Sequence, residues 1–489
     1  MTLNRIERVP SGVQGLDAIL HGGFARGGIH ILQGTPGVGK TTLANQISYH
    51  HAVGGGRVLY VTLLSETHAR MLLNLGTMSF FEPDRLFNQI SYISGFGALQ
   101  SEGLQGLITL LRRDIVAHQA TVLVLDGLVA AQDSAASDTE FKTFIQELQT
   151  QSALQDCTTF LLTTAKGRRV PPEYTMVDGI LELGETQRGS RIERALWVRK
   201  HRGSDFMPGR HTYRITDAGL VIYPRIEVAY HEMTHADQAW PDKISTGVEG
   251  LDAMLLGGLP EATITGIVGP SGVGKTSLGV HFIGQSRPTE PGLIFGFYET
   301  PPRLLQKAAS LGVDLKSAVD AGTVEVLWQP CGENVQDALA HRLLRAVERR
   351  HVRRVLLDGL GGFLEASLEP ERIGRFFAVL TNELKARGVS LLYTMETRDI
   401  FGSSVEMPVT GISSLVENLI ALRYVEHDSR ARRLLAILKL RDSGFDPGIR
   451  QFVIQDRRGI VVQDEFTGLQ RLLSGSAERS GSPTAREGT

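Results

Sequence analysis

The stretch Gly34-Thr35-Pro36-Gly37-Val38-Gly39-Lys40-Thr41-Thr42 follows an apolar run, and a second stretch, 235 residues later (269 − 34 = 235), reads Gly269-Pro270-Ser271-Gly272-Val273-Gly274-Lys275-Thr276-Ser277. Both fit the pattern G-x-x-x-x-G-K-[ST]. Glycines at these positions let backbone N–H groups turn towards phosphate oxygens, and the following helix adds the positive end of its dipole. The lysine then reaches the β- and γ-phosphates, and the hydroxyl binds Mg²⁺. The two stretches therefore predict two ATP-binding loops, with Lys40 and Lys275 on the phosphates and Thr41 and Thr276 on the metal.

The repetition extends beyond the two loops. The segment GVQGLD at 12–17 returns as GVEGLD at 247–252, with the same offset (247 − 12 = 235). This period is far longer than the roughly 20–50 residues of a solenoid repeat, so it indicates a duplicated domain. We expect domains at 1–235 and 236–475, meeting in the polar stretch 231–242. The small, polar residues at 476–489 predict a disordered tail.

Each half alternates short apolar runs with amphipathic stretches. The runs lie at 28–33, 58–63, 121–125 and 159–163, and at 264–268, 293–297, 355–357 and 390–394. Continuous apolar runs are typical of strands buried on both faces, and helical stretches between them imply a parallel sheet. After Lys200 and Lys439 the pattern changes to short alternating strands. We therefore predict the α/β class: two tandem P-loop NTPase domains, each a mainly parallel sheet flanked by helices, with a terminal antiparallel addition.

The composition excludes several classes of protein. The chain has 489 residues, of which 42% are hydrophobic and 21% charged, and its net charge of −2 does not favour binding to nucleic acid. No apolar run reaches the roughly 18 residues of a membrane helix, and the N-terminus lacks the apolar stretch of a signal peptide. Cys157 and Cys331 are far apart and lack metal-ligand spacing, which indicates a reducing compartment without disulfides or a zinc site. We expect a cytoplasmic protein without membrane association.

Four carboxylates are candidates for binding Mg²⁺ or activating the attacking water. Asp126 and Asp358 end corresponding apolar strands, where a carboxylate can help to hold Mg²⁺; the simpler interpretation is an aspartate in a turn. Glu66 and Glu299 each follow the second predicted strand of their half, at the sheet edge where ligands of open α/β sheets bind. We expect these glutamates to orient or deprotonate the attacking water, although surface or N-cap glutamates would look the same.

Two pairs of cations follow the last core strands. Lys200 and Arg202 in the first half, and Lys439 and Arg441 in the second, are two residues apart, so that each pair shares one face of a strand. Such a pair can neutralise charge on a transferring phosphoryl group, which would place all four residues among the ATP-binding groups. The alternative is a solvated charged face at a sheet edge.

Up to about residue 475, the chain resembles the KaiC family of tandem RecA-like ATPases, which is grouped with recombination ATPases such as RadA. The resemblance rests on the G-V-x-G-L-D opening before each loop, the Gly-Gly step at 22–23 and 257–258, the two-domain length and the K-x-R pairs. It implies a double-ringed homohexamer with ATP between subunits and K-x-R pairs that act in trans. It also implies slow ATP hydrolysis in the first domain, autophosphorylation in the second, and a regulatory protein partner.

The resemblance points to Ser413 and Ser414 as phosphorylation sites, because family members carry adjacent Ser and Thr acceptors just before a comparable strand. Two serines in a turn before a strand are the alternative. One departure from the family concerns its two adjacent glutamates after the second strand, of which the first is replaced here by Ser65 and by Tyr298. The identity of the general base therefore stays open at this point.

Two other functions remain open. One is a recombination or DNA-repair ATPase, for which the arginine-rich segment 342–354 would line a channel, unless it is simply a solvated helix face. The other is a nucleotide-gated scaffold in which hydrolysis matters little.

Overall fold

The computed structural model describes residues 7–63, 68–86, 88–164, 172–230, 242–397, 416–427, 429–441, 443–465, 469–470 and 478–479. The chain forms two compact units, Met1–Ala229 and Tyr230–Thr489. Each unit has its own nine-stranded sheet and its own apolar core. The boundary predicted at 235 lies outside the described residues.

The first unit contains eleven strands and seven helices among its described residues. The strands are β1 (Arg8–Val9), β2 (Phe24–Ala25), β3 (Ile29–Gly34), β4 (Val58–Thr62), β5 (Ile90–Ser94), β6 (Val122–Asp126), β7 (Thr158–Thr163), β8 (Gly179–Arg188), β9 (Arg191–His201), β10 (His211–Thr216) and β11 (Gly219–Tyr223). The helices are α1 (Leu16–Ile19), α2 (Lys40–Val53), α3 (His68–Leu75), α4 (Phe96–His118), α5 (Leu128–Ser134), α6 (Asp138–Leu154) and α7 (Ile226–Ala229). Short 3₁₀ turns span Pro83–Arg85 and Pro172–Thr175.

The second unit repeats this succession. Its strands are β12 (Lys243–Ile244), β13 (Leu259–Pro260), β14 (Ile264–Gly269), β15 (Gly292–Gly296), β16 (Val324–Trp328), β17 (Arg354–Asp358), β18 (Ser390–Glu396), β19 (Asn418–His427), β20 (Arg430–Leu440), β21 (Arg450–Gln455), β22 (Gly459–Glu465), β23 (Leu469–Gln470) and β24 (Glu478–Arg479). Its helices are α8 (Glu249–Met254), α9 (Lys275–Gly284), α10 (Pro301–Ser310), α11 (Leu315–Asp320), α12 (Gln336–Arg350), α13 (Gly361–Glu365) and α14 (Ile373–Ala386), and Pro370–Arg372 is a 3₁₀ turn.

The two large sheets have the same order of corresponding strands. The first is β5-β4-β6-β7-β3-β8-β9-β10-β11, and the second is β16-β15-β17-β18-β14-β19-β20-β21-β22. In each, the first six strands are parallel and the last three are added antiparallel. Helices connect most of the parallel strands, as a parallel sheet requires. The predicted α/β class, with two tandem RecA-like domains and an antiparallel addition, is confirmed.

The central strands are buried on both faces. Every residue of β3, β4 and β7 is buried. Alternate side chains of these strands belong to two separate apolar clusters, with Leu32 and Tyr60 in one and Ile31 and Leu59 in the other. Because side chains alternate between the faces of a strand, the two clusters lie on opposite sides of the sheet. This double burial explains why the runs in the sequence are continuously apolar.

The structure departs from the sequence prediction at the sheet edges. The edge strands β5 and β16 were not predicted, and most of their residues are only partly buried. The antiparallel section begins one strand earlier than expected, since Lys200 and Lys439 lie near the ends of β9 and β20, which are already antiparallel. In the predicted tail, Glu478–Arg479 pairs with Leu469–Gln470; the other residues of 476–489 lie outside the described part.

Candidate functional site

The first glycine-rich loop connects β3 to α2 at the carboxyl end of the parallel strands. A Cβ on Gly34 would lie 2.2 Å from the carbonyl oxygen of Leu183 in β8, so that glycine alone fits this close approach. Gly39 directly precedes α2 and adopts φ 97°, a left-handed conformation that glycine tolerates. The loop is anchored from the antiparallel section, since the Tyr213 hydroxyl donates to the Val38 carbonyl at 2.6 Å.

The second loop, between β14 and α9, is built in the same way. A Cβ on Gly269 would lie 2.4 Å from the carbonyl oxygen of Leu422, and Gly274 before the helix has φ 122°. Here a tyrosine from the first antiparallel pair holds the loop, with the Tyr424 hydroxyl 2.8 Å from the Gly272 carbonyl. In both units the neighbouring strand thus leaves room only for glycine at the first loop position, and a tyrosine hydroxyl holds the loop backbone.

The two loop lysines begin their helices and reach back over the loops. Each ammonium donates to the two carbonyl oxygens that open its own loop: Lys40 to Gly34 at 2.7 Å and Thr35 at 3.0 Å, and Lys275 to Gly269 at 2.8 Å and Pro270 at 2.7 Å. Burial lowers the pKa of both lysines, and nearby carboxylates oppose this shift. Both ammonium groups therefore lie at the loops to which the motif assigns the phosphates of ATP.

The structure brings the predicted magnesium ligands together in both units. The Thr41 hydroxyl donates to Asp126 Oδ2 at 3.0 Å, and the Thr276 hydroxyl donates to Asp358 Oδ1 at 3.1 Å. A hydroxyl and a carboxylate next to a phosphate loop are the oxygen ligands that Mg²⁺ takes at nucleotide sites. Burial raises the pKa of Asp358, because an enclosed carboxylate loses the water that stabilises its charge. A divalent cation at this carboxylate would offset that loss. The residues present fit the metal.

The two aspartates receive their second hydrogen bond from different elements. In the first unit the Tyr60 hydroxyl, from β4, donates to Asp126 Oδ2 at 3.0 Å. In the second unit the Thr394 hydroxyl, from β18, donates to Asp358 Oδ1 at 2.8 Å. The sequence analysis missed both residues, because neither has a counterpart in the other half that the repeat could highlight.

Glu299, a candidate base, lies between β15 and α10. Its Oε1 pairs with Lys307 Nζ from the second turn of α10. Its Oε2 is buried and has no hydrogen-bond partner among the described residues. Lys307 was not singled out from the sequence. The corresponding Glu66 lies outside the described residues.

The K-x-R pairs contact the backbone of their own unit. Lys200 Nζ donates to the carbonyls of Tyr174 at 2.9 Å and Thr175 at 3.2 Å, and Arg202 donates to the Thr175 carbonyl at 3.0 Å. These four residues lie at the end of the sheet opposite the phosphate loop, because His201 pairs with Gly179 at the start of β8.

In the second unit the pair also contacts the backbone just before β19, but at other residues. Lys439 Nζ donates to the Val416 carbonyl at 2.5 Å, and the backbone of Arg441 donates to that of Glu417 at 3.2 Å. The predicted acceptors Ser413 and Ser414 lie outside the described residues, directly before this anchored segment.

The arginine-rich segment 342–354 forms most of α12 and the turn after it. Its arginines have partners inside the unit: Arg349 and Arg350 pair with Glu325, Arg342 donates to Gln329, Arg353 donates to the Arg387 carbonyl, and Arg354 is buried beside Glu290. These contacts favour a structural role over a nucleic-acid channel.

Comparison with known proteins agrees with this geometry. The family model described as "ATPase: KaiC" matches the chain twice, at residues 9–227 and 244–466. The chain belongs to the KaiC ATPase family. The two matches cover both sheets and both phosphate loops, so that the KaiC-like resemblance and the ATPase assignment made from the sequence are confirmed.

Curated members of the KaiC family match along nearly the whole chain. One is the "Circadian clock oscillator protein KaiC" of Parathermosynechococcus lividus, 25% identical over an alignment of 492 positions that covers 98% of this chain and 89% of that protein. The protein of the same name from Picosynechococcus sp. is 26% identical (97% and 93%), and "Circadian clock oscillator protein KaiC 1" of Synechocystis sp. is also 26% identical (97% and 92%). Across the described part of this KaiC-family chain, none of the helices combines the length and the apolar character that crossing a bilayer demands.

Proposed function

We propose that this KaiC-family ATPase hydrolyses Mg²⁺-ATP at both loops and autophosphorylates Ser413 and Ser414 of its second unit. The observation that carries the proposal is the duplicated set of lysine, threonine and aspartate, held in the same geometry in both units. Mg²⁺ would neutralise charge on the β- and γ-phosphates, held by Thr41 and Asp126 in one unit and by Thr276 and Asp358 in the other.

The remaining residues take the roles that phosphoryl transfer needs. Lys40 and Lys275 stabilise negative charge on the β- and γ-phosphates, and the loop N–H groups orient them. Glu66 and Glu299 accept a proton from the attacking water, or in the second unit from the attacking serine hydroxyl. The new P–O bond forms as the bond to the β–γ bridging oxygen breaks, which leaves ADP.

The position of the backbone that follows the acceptor residues in the sequence, and of Lys439 on it, supports transfer between chains. Asn418, four residues after Ser414, pairs with Thr265 near the start of β14, whereas the phosphate loop begins at Gly269 at the other end of that strand. Four residues of strand span about 13 Å. Lys439 holds this same distant segment. The K-x-R pair is thus better placed for a neighbouring subunit's ATP than for its own, which supports a homohexamer with ATP at subunit interfaces.

Incorporation of γ-labelled phosphate tests the acceptors. Full-length protein is incubated with Mg²⁺ and γ-labelled ATP, and a Ser413→Ala, Ser414→Ala variant is compared with Ser403→Ala, Ser404→Ala, a matched serine pair in the same segment. We expect label on the wild type and on the 403/404 control, and none on the 413/414 variant. Equal label on all three would refute these acceptors, and phosphate release without any label would leave an ATPase that is not an autokinase.

Mixing two inactive variants tests transfer between chains. Lys275→Ala keeps the acceptors but lacks the loop lysine, and the 413/414 variant keeps the loop but lacks acceptors. We expect label on the Lys275→Ala chain, distinguished by a size tag, only when both variants are present. Label that never reaches that chain would show transfer within one chain.

A regulatory protein partner and a cytoplasmic location stay predictions from the sequence and its family. A recombination role is not favoured, because the arginines of α12 have partners inside the unit; hydrolysis stimulated by single-stranded DNA would reverse that judgement.

A further inference from the structure

The second unit has an ion pair beside its metal ligands that extends the catalytic set. Lys307 Nζ pairs with Glu299 Oε1, and both side chains are about two-thirds to three-quarters buried, with exposed fractions of 33% and 27%. The other carboxylate oxygen, Oε2, is buried without a hydrogen-bond partner among the described residues. Lys307 thus holds Oε1, and the buried Oε2 keeps unused capacity to accept a hydrogen bond.

The carboxylate lies near the metal ligands. Burial raises the pKa of Asp358 most, and the charge of Glu299 raises it further whereas that of Lys307 lowers it, so that both charges act on the aspartate. The backbone of Phe297, two residues before Glu299, also donates to the Asp358 carbonyl at 3.4 Å. Glu299 therefore lies beside the aspartate that would hold the metal.

The lysine is a feature of the second unit. It lies eight residues after Glu299, on the helix that begins at Pro301. Eight residues after Glu66 the first half has Asn74 (74 − 66 = 8), which carries no charge. The duplication therefore did not supply this contact, and the phosphate-loop motif does not require it.

Resting on the proposed role of Glu299, we infer that Lys307 is a positioning residue: it fixes Oε1 so that Oε2 takes the proton of the nucleophile in the second unit. A helix-borne ammonium restricts the carboxylate to one rotamer before ATP arrives. Misplacing a reacting group by about 1 Å can cost around 100-fold in rate, so that this restriction acts on turnover rather than on ATP affinity.

Steady-state phosphate release measures the effect in full-length protein. Every variant carries Lys40→Ala, so that the signal comes from the second unit. Lys307→Met is compared with Lys307→Arg, which keeps the charge, with Glu299→Gln, and with Lys316→Met, which breaks the exposed Lys316–Asp320 pair of the same unit. We expect Lys307→Met to lower kcat by about 10- to 100-fold with KM for ATP unchanged. Lys307→Arg should restore most of the rate, and Lys316→Met should match the parent.

A double mutant separates positioning from a general structural effect. If Lys307 acts through Glu299, adding Lys307→Met to Glu299→Gln lowers kcat no further. Additive losses, or a Lys307→Met kcat equal to or above that of the parent while Glu299→Gln is slow, would overturn the inference alone. A Glu299→Gln variant as fast as the parent, or a parent that neither releases phosphate nor takes up label, would instead refute the proposed function.

Discussion

His30 in β3 faces a glycine on the neighbouring strand, and the second unit has different residues at the corresponding two positions. His30 pairs in register with Gly179, and the corresponding residues Thr265 and Asn418 pair likewise. A Cβ on Gly179 would lie 2.4 Å from His30 Nδ1, whereas Asn418 Nδ2 donates to the Thr265 hydroxyl at 3.0 Å. The first unit thus has one large ring beside a glycine where the second has two smaller polar side chains. Of these four residues, only His30 can gain a proton between neutral and acidic pH.

This histidine should make the first unit sensitive to acid. Burial lowers the pKa of His30 to about 4. The unfolded chain binds a proton below about pH 6.5 and the folded chain only near pH 4, so the free energy of unfolding falls as the pH drops through this window, by up to about 3 kcal/mol. Urea unfolding of the first unit at several pH values between 7 and 4.5 measures the slope.

The matched control introduces the threonine and asparagine of the second unit at the corresponding positions of the first. His30→Thr with Gly179→Asn removes the titrating ring and fills its space as Thr265 and Asn418 do. We expect a flatter dependence of unfolding free energy on pH for this double variant. An unchanged slope would show that other groups, such as His201, carry the acid sensitivity.

Single residues of the site differ in how far the sequence could predict them. Lys40, Thr41 and their counterparts belong to a contiguous motif whose mechanism fixes their roles. Asp126 and Asp358 were found because they end corresponding strands. Tyr60, Thr394 and Lys307 were not, because they reach the site from separate strands and a helix, and only folding brings them there.

Among the helices, α6 has a side-chain cap at its amino terminus. The Ser137 hydroxyl accepts a hydrogen bond from the Glu140 N–H at 3.2 Å, and Glu140 Oε2 accepts one from the Ala136 N–H at 2.7 Å. The first contact satisfies an N–H group that the helix itself leaves unpaired, and the second fixes the residue before the cap. The apolar face of α6 then packs Phe141, Phe144 and Ile145 against the sheet.

Removing this cap should weaken the first unit. We expect Ser137→Ala to lower its free energy of unfolding by about 1 kcal/mol, because the Glu140 N–H loses its acceptor. Ser137→Asp keeps an acceptor and should stay close to wild type. Denaturant unfolding at constant pH measures both; equal losses in the two variants would show that the cap contributes little.

Elements in the middle of the sheets were predictable, and those at the edges were not. Double burial makes β3, β4, β6 and β7 mostly apolar or β-branched, which is a signal that the sequence carries directly. At the edge, β5 is mostly half-exposed, so its polar residues obscure the strand. The order of the strands was not predicted, because it depends on long-range pairing that the local pattern does not carry.

The whole molecule divides into two units, each with a complete sheet, a glycine-rich loop motif and a hydrogen-bonded threonine–aspartate pair. We expect the separate fragments 1–229 and 230–489 each to unfold cooperatively and to be stabilised by Mg²⁺-ATP, by about 2.7 kcal/mol at 100 times the dissociation constant. Thermal unfolding with and without nucleotide measures this stabilisation.

The loop lysines provide the controls for this experiment. Lys40→Ala in the first fragment and Lys275→Ala in the second should each abolish the stabilisation by nucleotide while leaving the unfolding cooperative. A fragment that has no cooperative transition would show that the unit depends on the rest of the chain for its stability.

The unequal hydrogen bonding of the two aspartates has a consequence for the gene. Duplicated coding sequences can overwrite one another by gene conversion. Copying the codons of β15 onto those of β4 would put the isoleucine of position 294 in place of Tyr60, and the compensating threonine is encoded 100 codons further on (394 − 294 = 100). A short conversion tract would therefore remove a hydroxyl donor from Asp126 without importing its substitute.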